Sequence, residues 1–127
     1  MYTTVDAIKT RFVIVGDSED ERIQSVIDRT SAFISQRLST PPDLDPALAI
    51  VLPIAAEDIC AGEYLLAVAG ENAIDGPLDI SILKLGPDPD KIARLGNSLV
   101  QNGWAKLTTW LKPEIPVFVG YFKAVDG

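Results

Sequence analysis

The chain has 127 residues, 11 basic and 18 acidic side chains, no histidine and one cysteine. A formal charge of −7 and a hydrophobic share of 47% describe one acidic globular domain with enough apolar residues for a core. They exclude histidine-dependent catalysis, an intrachain disulfide, a Cys-x-x-Cys pair and a sequence-independent grip on DNA phosphates.

In chain order, Thr3 with Asp6 is a short capping signal for a helix through Phe12. Val5, Ile8 and Phe12 form its apolar face, and Val13 to Gly16 end it. Ser18 with Glu21 reads as a capping box opening a second helix, with Glu19 to Glu21 in the turn where the helix dipole favours anions. Ile23, Val26, Ile27, Phe33 or Ile34, and Leu38 carry its stripe as far as Ser39. Thr40-Pro41-Pro42-Asp43 is a stiff linker, and Asp45-Pro46 restarts a helix as N-cap and first-turn proline.

From Ala47 to Ala56 nearly every residue is apolar, the pattern of a helix central to a bundle, with a kink expected at Pro53 and a C′ residue at Gly70. The apolar run to Ala69 is long enough to cross a bilayer. Glu57, Asp58 and Glu63 near its middle, with no closely flanking Lys or Arg, favour a buried helix instead. The first residues carry no secretory signal pattern, so the expected compartment is the cytoplasm.

Residues 71–87 read as a long loop, with a short strand pattern from Ile80 through Ile82 to Leu85. Asp88-Pro89 repeats the cap-and-proline device and starts a last helix to Leu111 along Ile92, Leu95, Leu99, Val100, Trp104, Leu107, Trp110 and Leu111. Gly96 and Gly103 beside that stripe permit close backbone approach, while Asn102-Gly103 is also a turn signal that would split the helix. The tail, 113–127, is extended and apolar on both faces. The expected fold is all-α: one domain, a bundle of about four helices over 1–112 with an extended arm over 113–127.

No phosphate loop, dinucleotide fingerprint or nucleophile elbow occurs, so no catalytic or cofactor-binding residue is expected and the chain reads as a non-enzyme. Glu57, Cys60 and Glu63 match half of a di-metal site poorly, because a histidine is wanted where Cys60 stands, so no metal is expected. Asp17, Asp20 and Glu21 lack the ligand alternation of a calcium loop. Cys60 is a small core residue, Asp58 is expected to pair with Arg37, and Trp104 and Trp110 are core or interface anchors rather than base-stacking platforms. Charge is segregated: residues 1–45 carry −3, 46–90 carry −7 and 91–127 carry +3. That division suits a head-to-tail contact between copies, basic end to acidic middle.

The opening from Met1 to Phe12, the long helix of Ile23 to Leu38, the Pro41-Pro42 break and the run Ala56-Glu57-Asp58-Ile59-Cys60-Ala61 with Tyr64 and Leu65 resemble small tailed-phage head–tail connector proteins. These are the Mu-type connectors and related adaptor or head-completion proteins. The likeness covers 1–70, and 88–112 in pattern only. It implies a structural virion protein at the head–tail junction, assembled in the host cytoplasm as a ring below the portal and docking a stopper or tail-completion protein. DNA would pass without sequence-specific binding, and no cofactor or membrane would be involved. Such a ring need not form from the isolated chain. On this reading Ile80, Ile82, Leu85, Ile115, Val117, Phe118, Tyr121 and Phe122 are interface residues that order on neighbouring subunits. The alternative is an acidic protein that binds and inhibits one basic partner, as a DNA mimic or anti-restriction protein does.

Overall fold

A computed structural model describes residues 2–75 and 88–113; for 71–75 it gives the helical backbone alone. The chain is all-α, with four α-helices among the described residues: α1 (Val5–Phe12), α2 (Asp20–Arg37), α3 (Pro46–Asp75) and α4 (Pro89–Leu107). Single 3-10 turns, Pro42–Leu44 and Thr108–Trp110, precede α3 and follow α4.

The starts of the helices divide into two kinds. At α3 and α4 the aspartate–proline device works as read: Asp45 Oδ1 accepts the Leu48 amide at 3.1 Å and Asp88 Oδ1 accepts the Asp90 amide at 2.9 Å. At α1 the cap is Thr4 rather than Thr3, its Oγ1 accepting from the Ala7 amide at 3.1 Å. The expected capping box at Ser18 is absent. Helix α2 begins one residue later, with Glu19 at the N-cap, which makes no side-chain capping bond. The acids there serve tertiary contacts instead: Glu19 accepts the Tyr64 hydroxyl at 2.8 Å, and Asp20 meets Lys9 at 2.8 Å. Helix α1 ends at Val13, a left-handed residue with φ 56° that turns the chain sharply toward α2.

Helix α3 runs unbroken past Pro53, whose ring faces solvent, and past Gly70 to Asp75. The expected C′ glycine is therefore an interior residue, and the connection starts beyond Asp75. Residues 76–87, with the strand pattern, and 114–127, with nearly all of the arm, lie outside the described residues. Helix α4 continues through Asn102-Gly103, so the turn alternative does not occur.

Two apolar clusters flank α3. One joins Ile8 and Phe12 of α1 and Ile23, Val26 and Ile27 of α2 to Cys60, Ala61, Tyr64, Leu65 and Val68 of α3 and Ile92 of α4. The other joins Ile34 and Leu38 to Leu48, Leu52, Ala55, Ala56, Ile59 and Leu107. Helices α3 and α4 run antiparallel along a glycine seam. A Cβ on Gly62 would lie 2.5 Å from the Gly96 carbonyl oxygen and 2.8 Å from the Val100 nitrogen. One on Gly103 would lie 2.8 Å from the Ala55 carbonyl oxygen. The spacing of Gly96 and Gly103 announces this seam; Gly62, its partner on α3, carries no such signal.

A candidate interaction surface

Three features stand out on the bundle: a charged knot, a bare apolar stripe and a groove with a cationic rim.

The knot centres on Asp58, which is buried on α3. Its Oδ1 accepts from Arg11 of α1 at 2.7 Å and its Oδ2 from Lys106 of α4 at 2.6 Å, while Arg11 also reaches Glu57 at 2.9 Å. The expected Asp58–Arg37 pair is not formed. Arg37 lies at the far end of α2 with its guanidinium 6.0 Å from the centre of the Trp104 ring. Asp58 faces α1 and α4 rather than the end of α2, so its cations come from those two helices. Both oxygens of Asp58 are met by cations, so the knot fastens three helices together rather than offering a reactive carboxylate.

The stripe occupies the first half of α3. Ala47, Ile50, Ile54, Glu57, Ala61, Leu65 and Val68 follow one another at helical spacing on one face. Ala61, Leu65 and Val68 are buried in the same cluster as Ile8 and Phe12 of α1. Arg11, at the end of α1, stands over Glu57. Beyond that point nothing described covers the face: Ile50 is 70% and Ile54 55% exposed, with Leu44 at 72% in the turn before the helix. The all-apolar pattern foretells complete burial, and the difference is one of length. Helix α1 has 8 residues and α3 has 30, about 12 Å against about 45 Å at ~1.5 Å per residue.

The groove lies between the end of α2 and the C-terminal part of α4. It encloses about 550 Å³ and is lined by Arg37, Val100, Gln101, Trp104, Ala105, Thr108 and residues 111–113. Phe33 meets the Trp104 ring edge-on at 5.7 Å between centres. The chain leaving α4 is pinned beside it. The Lys112 amide donates to the Arg37 carbonyl oxygen at 2.8 Å, and the Ser39 amide to the Trp110 carbonyl oxygen at 2.8 Å. Leu38 and Leu111 form an isolated antiparallel bridge, and the Trp110 indole donates to Asp45 at 2.9 Å. The Leu48 amide first, and this indole second, hold the Asp45 carboxyl below the usual carboxylate range. Both tryptophans are thus anchors, as read: Trp110 ties the end of α4 to the start of α3, and Trp104 forms the groove wall.

Cys60 is fully buried, and its burial pushes the thiol up to about 12, so it stays protonated and packs as a small apolar residue. Among the described residues no three His, Cys, Asp or Glu side chains are arranged to hold a metal ion, and no helix is long and apolar enough to cross a membrane. Ile80, Ile82, Leu85, Ile115, Val117, Phe118, Tyr121 and Phe122 lie outside the described residues. Arg11 and Lys106, the partners of Asp58, are hidden in the sequence because ion pairs across 47 and 48 positions leave no local spacing to read. No protein-family model, curated protein or solved structure matches the chain.

Proposed function

We propose that this chain is a structural subunit of a tailed-phage head–tail connector or adaptor, a non-enzyme that forms a ring below the portal and docks a stopper or tail component. The observation that carries the reading is the bare stripe of Leu44, Ile50 and Ile54 on the central helix. A helix that is apolar all round is suited to burial. Here its first half is left open to a neighbour of complementary shape. Large exposed apolar side chains in a row mark a protein contact more often than they mark a catalytic centre. The helix order and the proline break add the resemblance to small connectors, and the acidic charge suits a conduit that repels DNA phosphates.

The mechanism is then one of rigid wedging. The glycine seam and the Asp58 knot hold the bundle stiff, so that a load on the exposed surfaces is passed to the whole domain. Portal, stopper and neighbouring copies bind to surfaces, and no bond is made or broken. Electron microscopy of the full chain mixed with the portal protein encoded in the same genome tests this. Ring density beneath the portal is the expected result. A portal left bare at saturating concentration of the chain overturns the reading.

A further inference from the structure

We infer that the groove walled by Arg37, Trp104 and Lys112 receives the acidic segment from Glu71 to Asp79, which includes the last turn of α3 and the residues after it, of a second copy of this chain. The inference deepens the subunit reading by naming the contact through which copies join head to tail.

Charge is the first argument. Lys9, Arg11, Arg22 and Lys106 each pair with a carboxylate. Arg29, Arg37, Lys91, Arg94 and Lys112 pair with none among the described residues, and of these Arg37 and Lys112 line one groove. They stand on the rim of an apolar groove of about 550 Å³. Helix α3 is the converse. It holds Glu57, Asp58, Glu63, Glu71 and Asp75 and not one Lys or Arg. Its last turn has no basic residue, so Glu71 and Asp75 add to the negative end of the helix dipole, and Asp79 follows.

Geometry is the second argument, and it forbids the contact within one molecule. Gly62 lies against Gly96 and Val100 with the helices antiparallel. From that level Asp75 is ~20 Å along the bundle in one direction, and Trp104 is ~6 Å in the other, at ~1.5 Å per residue. From Asp75 to Asp79 even an extended chain spans only ~14 Å. The acidic end therefore cannot fold back to its own groove and meets it only in another copy. Such a contact joins unlike surfaces and repeats around an axis.

A fluorescein-labelled peptide of residues 71–83 titrated with the full-length chain tests the contact, read by anisotropy. The expected result is saturable binding at low salt, weakened at least about tenfold by the double change Arg37→Glu with Lys112→Glu, about 1.4 kcal/mol. About 0.5 M salt should weaken it similarly. A peptide with Asp75→Lys and Asp79→Lys should then prefer the double variant to the unaltered chain, which separates a lost contact from a lost fold. No saturable binding, or equal affinity for both proteins, overturns the inference. A chain that forms rings under the portal yet ignores the peptide keeps the subunit reading and discards this contact. A groove-dependent peptide complex from a chain that leaves the portal bare does the reverse.

Discussion

Two faces of α3 are built from similar residues and end in opposite conditions. Toward α4 the packing is so close that a single methyl group on Gly62 has no room. On the face that carries Ile50 and Ile54, the helix lies open as soon as α1 ends at the level of Glu57. Local hydrophobicity does not separate the two. What separates them is which neighbouring helix reaches far enough, and that depends on the length of α1 and on three glycines. The first face holds the fold together and the second is available to a partner, so the two should respond independently to substitution.

The largest effect is expected at the knot between them. Asp58→Ala leaves Arg11 and Lys106 facing each other without their shared carboxylate, and stability should fall by about 3 kcal/mol, read from urea unfolding. A loss under about 0.5 kcal/mol would mean that solvent already satisfies both cations. On the seam, Gly62→Ala gains helix propensity but presses a methyl group on backbone atoms of α4, for a net loss of about 2 kcal/mol by the same measurement. An unchanged midpoint would show that α3 and α4 stand farther apart than described. Gly70 gives the opposite sign. With nothing within 4 Å of its Cβ position and the helix continuing past it, Gly70→Ala should raise stability by about 0.5–1 kcal/mol. A loss there would restore the helix end that the glycine suggests. On the bare face, Ile50→Gln with Ile54→Gln should change the unfolding midpoint least, by about 0.5 kcal/mol or less, while weakening assembly under the portal. Lost stability with assembly intact would place those side chains in the core.

The helices were legible because burial in a small bundle imposes a 3.6-residue period, seen at Ile23, Val26, Ile27, Ile34 and Leu38. Asp45 and Asp88 were legible because an aspartate followed by proline satisfies a helix start by itself. Ser18 misled because the helix starts at Glu19, and the acids Glu19 and Asp20 beside it bind Tyr64 and Lys9 across the fold, contacts that no local spacing announces. The surface was less readable. Exposure of Ile50 and Ile54 follows from where α1 stops, and the pairing of Asp58 from which helices cross beside it; neither is written in neighbouring residues. The groove draws Arg37, Trp104 and Lys112 from two ends of the chain, so only the charge division between its middle and its end hinted at a site.

Sedimentation of the full-length chain across a wide concentration range, at low and at high salt, tests most directly the claim that this is a self-joining subunit. The account predicts species that grow with concentration at low salt and fall back to monomer in about 1 M salt, where charges beyond ~3 Å are screened. It also predicts that Arg37→Glu with Lys112→Glu stays monomeric throughout. A single unchanging monomer of the unaltered chain at every concentration and in both salts would contradict it.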